Sequence, residues 1–169
     1  MAGEHHAQPG DPWQRLDSAA FGIIYGSVTV LALLMAMGSH PGSALTSAAA
    51  LFGSILGIAL AKAFAEVMSD AIEARARISR QAFARSWAHA QTTLIAANLP
   101  TLFFIAAAAG LGTTGSAIAL SQVYCIGLLM LVGGRVGWRL DTSWLSAVLG
   151  ALFAGGVGLA LALLKHVIH

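Results

Sequence analysis

Lys62, Glu66, Ser69, Asp70 and Glu73 recur at intervals of three or four inside and just beyond a long apolar stretch. On a helix that spacing places them along one face. Ionisable groups in an apolar span are costly, so they are the first suspects for moving ions or protons. Lys62 is the sharpest case, because at a bilayer centre a lysine costs roughly 2.5–3.5 kcal/mol on insertion scales. It lies toward one end of its span, and two readings stand. The ammonium reaches the headgroups or pairs with Glu66 one turn on, or it lines a substrate pathway. Tyr25, a third of the way into another apolar run, adds a phenol. Core packing with a partner for its hydroxyl is the ordinary expectation for such a residue, and a place beside Lys62, Glu66 and Asp70 in a transport pathway is the other.

Weaker candidates surround these. Asn98 and Gln122 fit hydrogen bonds between helices. His40, His166 and His169 fall at one end of the predicted bundle, where three imidazoles would suit zinc or a similar ion, but no spacing specifies a site. His5 and His6 offer the same chemistry on a tail that otherwise reads as solvated. His89 reads as interfacial. Cys125 stands alone and cannot form an internal disulfide. There is no phosphate-binding loop, no HExxH, no CxxC, no pair of histidines placed for haem, and no nucleophile with a base. The chain therefore reads as a non-enzyme with no cofactor assigned.

The elements that carry these residues are apolar. Of 169 residues, 57% are hydrophobic and 9% charged, with a mean hydropathy of +0.78, where a soluble domain carries about 25% charged residues. Five stretches, at about 18–38, 44–68, 90–110, 115–133 and 144–164, each approach the roughly 20 residues a bilayer crossing needs. Without water a backbone must satisfy its own hydrogen bonds, so the spans are expected to be helices. The predicted architecture is an all-α, five-helix integral membrane bundle over residues 18–169, preceded by a flexible tail over 1–17. The helix of span two is expected to continue beyond the membrane as a charged amphipathic extension through Arg75, Arg77 and Arg80.

Arginine and lysine favour the cytoplasmic side of short loops. Arg75, Arg77, Arg80 and Arg85 lie between spans two and three, and Arg135 and Arg139 between spans four and five, while the other two hairpins carry neither Arg nor Lys. The alternation predicts a cytoplasmic N-terminus and a C-terminus on the opposite side. Trp13, Trp87, Trp138 and Trp144 fall near the same predicted interface, where indole rings are favoured. The arginine run is a positive-inside signal that can also attract anionic lipid, and nothing in it suggests nucleic acid. The high alanine and glycine content and the lack of a transit-type tail suggest a bacterial inner membrane.

Helices in lipid associate where small residues let backbones approach. Gly22 and Gly26 make such a pair in span one, Gly53 and Gly57 in span two, and Gly150, Ala154 and Gly158 a stripe in span five. They predict tight packing, within one chain or between chains. Pro100 removes a backbone donor inside span three and is expected to shape that helix.

Two segments resemble the vacuolar iron transporter family. Phe21-Gly22-Ile23-Ile24-Tyr25-Gly26-Ser27 is similar to the family's first-helix pattern F-G-x-x-D-G-L, and Ala61-Lys62-Ala63-Phe64-Ala65-Glu66-Val67-Met68-Ser69 to its second-helix stretch S-M-x-x-G-E-Y-V-S. Ala97-Asn98-Leu99-Pro100 falls where that family has a proline-bearing third helix. The resemblance implies five helices, N-in and C-out, working as a homodimer that moves divalent metal ions against protons between the first and second helices. The departures carry as much information. Tyr25 stands at the position of the family's aspartate and Lys62 at that of its methionine, Ser54 falls near a family glutamate, and the glutamate-rich cytoplasmic domain is missing. A carboxylate and a thioether suit a transition metal; a phenol and an ammonium do not. The expectation is an ion or small-solute transporter that does not use the family's iron-binding mechanism, or a non-catalytic subunit of a larger membrane complex, with the bilayer and a second copy or other subunits as partners.

Overall fold

The computed structural model describes residues 12–37, 42–74 and 80–168. These form five helices: α1 (Pro12–Met37), α2 (Ala44–Ala74), α3 (Arg80–Ala108), α4 (Thr114–Asp141) and α5 (Trp144–Ile168). Among the described residues there is no strand. All five helices are long and apolar enough to cross a membrane. Their outer faces expose Leu140, Leu145, Leu152, Phe153 and many other large apolar side chains, more than a water-soluble surface carries. Together these features point to an integral membrane protein.

The helices match the predicted spans and run past them. The first begins at Pro12, inside the segment expected to be a flexible tail, with proline in the first turn, where its missing donor costs nothing. The second continues to Ala74, past the predicted span end, but the predicted extension does not run on through Arg80, which opens α3, and Arg75 and Arg77 lie outside the described residues. The third begins at Arg80 rather than near 90, because Arg, Gln and Ala favour helix although they are not apolar enough to signal a span.

Two connections are built tightly. After α3, Gly110 takes φ +86°, and the Leu111 N–H donates to the Ala106 carbonyl at 3.0 Å, ending the helix in the left-handed manner glycine permits. Thr113 and Ser116 then cap α4 reciprocally through side chain and backbone. Between α4 and α5 only Thr142 and Ser143 intervene. Thr142 sits at φ +46° and its N–H donates to the Trp138 carbonyl at 2.9 Å. The Ser143 hydroxyl accepts from the Leu145 N–H at 3.2 Å.

The most extensive contacts join α4 to α5 and α2 to α3, as two hairpins. Helix α1 lies between them and touches all four other helices, but its contact with α2 is the thinnest of these. Val30, Leu31, Leu34, Leu51, Ile55, Phe104, Cys125 and Leu129 fill the core between the hairpins. A smaller cluster of Ala59, Ala63 and Ala90, with Trp87 and Leu94 against it, joins α2 to α3.

Glycine decides which backbones meet. A methyl group on Gly22 would collide with the Thr92 side chain, and one on Gly26 would stand 2.6 Å from the Thr93 carbonyl oxygen, so this pair seats α1 on α3. Gly133 and Gly137 of α4 meet Gly150, Ala154 and Ser146 of α5 in the same way. The predicted pair Gly53 and Gly57 behaves differently. Nothing lies within 4 Å of where their side chains would be, so neither packs within the chain. Pro100 is fully buried inside α3. Just beyond it, the Thr101 hydroxyl donates to the Ala97 carbonyl at 2.8 Å, which keeps that turn bonded.

Gly26→Ala is expected to destabilise the bundle by about 1–3 kcal/mol, because the colliding atom is backbone and cannot swing away. Gly127→Ala on the open face of α4, with nothing within 4 Å, is expected to leave stability unchanged or raise it by up to about 1 kcal/mol. Unfolding by SDS titration in mixed micelles measures both.

Candidate functional site

The thin contact between α1 and α2 is where the sequence-predicted polar residues gather. Lys62 is half-buried, and its Nζ lies 4.3 Å from the centroid of the Phe21 ring and 5.8 Å from that of Tyr25. The two rings stand one turn apart on α1 and stack with centroids 6.2 Å apart and planes 14° from parallel. An ammonium over aromatic faces is held by the ring quadrupoles, an interaction worth about 0.5–2 kcal/mol depending on how dry the site is. The four-carbon stem of Lys62 thus spans the gap that the backbones leave open.

Tyr25 departs from expectation. It is 42% exposed and Phe21 67%, so the phenol is not a core group. The reason is the seating of α1: Gly22 and Gly26 face α3, which turns Phe21 and Tyr25 toward α2 and the outside. Glu66, one turn past Lys62, is half-buried and also interacts within the chain. Asp70, Ser69 and Glu73 are exposed further along α2, and the Ser69 hydroxyl lies 3.4 Å from Glu73 Oε1. The single polar face predicted for α2 is therefore present. It grades from Lys62 at the aromatic pair to carboxylates at the helix end.

Asn98 is exposed and Gln122 half-buried. The predicted histidine cluster falls outside what the structure describes, since the side chain of His166 is not described and His40 and His169 lie beyond the described residues. His5 and His6 also lie outside the described residues, as do Arg75 and Arg77.

Two hydroxyls were not singled out by sequence reasoning. Ser27 of α1 and Thr93 of α3 are fully buried, and their oxygens have no hydrogen-bond partner among the described residues. Other hydroxyls in the bundle donate to the carbonyl four residues back, as Thr29 of α1 does to Tyr25 and Ser121 of α4 to Ala117, both at 2.7 Å. No pattern in the sequence distinguishes the two orphans from these, since burial against a facing helix is what strands them.

Two cavities lie along α4 and α5. One of about 650 Å³ is lined mainly by apolar side chains of α1, α4 and α5, including Ile24, Val28, Leu149 and Phe153. The other, of about 400 Å³, lies at the α4–α5 turn. Neither is lined by Tyr25, Lys62, Glu66 or Asp70.

Two measurements check this geometry. In a double-mutant cycle of Lys62→Met with Phe21→Leu, the coupling read by SDS unfolding is expected to be about 0.5–2 kcal/mol; additivity would show that the ring holds no charge. Thr93→Val is expected to be neutral or stabilising by up to about 1 kcal/mol, because it removes a buried hydroxyl without a partner. A loss above about 1 kcal/mol would mean that the hydroxyl is bonded. Compared with known proteins, the chain matches no family model, no curated protein and no solved structure.

Proposed function

We propose that this chain is an ion or small-solute transporter of a bacterial inner membrane, with a vacuolar-iron-transporter-like scaffold and a cytoplasmic N-terminus, whose pathway runs along the α1–α2 surface and is completed by a second copy. The observation that carries this reading is the position of Lys62. An ammonium is held over two exposed aromatic rings at the thinnest of the contacts that α1 makes, with the Glu66–Asp70 face leading away from it. The described core between the hairpins is apolar, which favours passage along a surface that a partner closes. Gly53 and Gly57 lie open on α2 and allow another backbone to approach there.

The chemistry argues against iron. A fixed positive charge repels a divalent cation, and neither phenol nor ammonium is a ligand that selects a transition metal. An anion, or a solute coupled to a proton through Lys62, fits the charge better. A non-catalytic subunit of a larger membrane complex is the second reading, favoured by the apolar core and by the apolar lining of the larger cavity.

Reconstitution distinguishes them. Gly57→Cys in a Cys125→Ser background is expected to form disulfide-linked dimers in bilayers, whereas Gly127→Cys on α4 is not. Vesicles holding the wild-type chain are expected to pass small anions, and Lys62→Gln to slow that flux at least about tenfold, equivalent to 1.4 kcal/mol in the barrier. Dimers without flux under any ion gradient would leave the subunit reading. Monomers without flux would remove the transport reading and its shared surface together.

A further inference from the structure

The cavity at the α4–α5 turn has a chemistry that nothing in the transport reading uses. Leu131, Gly134, Arg135 and Trp138 of α4 and Ala147 of α5 line about 400 Å³. Gly134 shapes it. A methyl group there would stand 3.4 Å from the Ala147 carbonyl and from the Ala151 side chain, so the helices run close together and the missing side chain leaves a slot beside them. The slot is apolar at Leu131 and cationic and aromatic at Arg135 and Trp138. Arg139, one turn beyond Arg135, extends the positive charge along the same face. The chain reverses at Thr142–Ser143, so the slot lies where α4 leaves the apolar layer and α5 enters it, with Trp144 exposed beside the turn. It is an amphiphilic site at a membrane boundary, of ordinary small-ligand size.

We propose that this slot binds an anionic glycerophospholipid. The Arg135 guanidinium takes the phosphate, for which its planar fork of donors is suited. Arg135 and Arg139 also interact within the chain, and five N–H donors leave capacity for a phosphate beside those partners. The Trp138 indole, 43% exposed and about one turn nearer the chain reversal than Arg135, lies in the headgroup interface beside the phosphate. An acyl chain descends over Leu131, in the space that Gly134 leaves. The proposal rests on the membrane-crossing architecture and is independent of the transport reading. Arginines that merely complement the α4 C-terminal dipole or set topology would select no headgroup.

Lipid retention on the purified full-length protein tests it. In neutral micelles containing equal amounts of dioleoylphosphatidylglycerol and dioleoylphosphatidylcholine, native mass spectrometry is expected to show the anionic lipid retained at least about fivefold over the zwitterionic one, the preference that one basic residue near a membrane surface confers. Arg135→Gln is expected to abolish the preference and Arg135→Lys to keep part of it, with the melting temperature in lipid-free micelles reporting that each variant is folded. Should Arg135→Gln fail to fold, a chain with Trp13, Trp87 and Trp144 replaced by phenylalanine decides: brominated phosphatidylglycerol is expected to quench Trp138 more strongly than brominated phosphatidylcholine. Equal retention by the wild type, an unchanged preference in Arg135→Gln, or equal quenching would overturn the proposal. Displacement of the lipid by millimolar glycerol 3-phosphate would overturn it in favour of a soluble phosphate ester.

Discussion

In a hydrocarbon solvent, leucine gains little from leaving the surface, and the distance between backbones decides which helices stay together. This bundle follows that constraint closely. Gly22 and Gly26 bring α1 against the Thr92–Thr93 turn of α3, and Gly133, Gly137 and Gly150 bring α4 against α5. The large apolar side chains of the core then fill the space that these contacts define. Where no glycine faces a neighbour, as between α1 and α2, the contact is thin. There a lysine stem and two aromatic rings bridge the gap instead.

The same constraint distributes the chemistry. Seating α1 on α3 seals Ser27 and Thr93 in the interior, where their hydroxyls are stranded. It also turns Phe21 and Tyr25 outward, so that the polar face of α2 meets α1 at a surface rather than in a core. A transport pathway on this scaffold therefore needs a second wall, and α2 presents its own unoccupied glycines on an open face. The α4–α5 hairpin is the opposite case. Its backbones are in close contact, and its polar groups gather at the turn, where Arg135, Trp138 and Arg139 meet the edge of the apolar layer.

Much of this was readable in the sequence, for reasons of period and length. Five apolar runs became five helices, and the i, i+4 ladder from Lys62 to Glu73 became one face of α2. The assignment of glycine pairs to partners was not readable. Gly22/Gly26 and Gly53/Gly57 have the same spacing, yet one pair is buried against α3 and the other faces outward. Spacing shows that a face can be approached closely and says nothing of which helix approaches it. The two readings of Tyr25, core or surface, were left open for the same reason, since its exposure depends on the rotation of α1, which the Gly22/Gly26 contact sets. The early start of α3 at Arg80 was hidden because hydropathy marks where a helix is apolar, not where its backbone begins to wind.

The account depends on α4 crossing the bilayer as one leg of a five-crossing bundle. The most direct measurement labels single cysteines with a membrane-impermeant maleimide in sealed vesicles, at Gly112→Cys before α4 and Ser143→Cys after it, both in a Cys125→Ser background. The two positions are expected to react from opposite sides of the membrane. Labelling of both from the same side would contradict the fold, and with it every functional reading built on these helices.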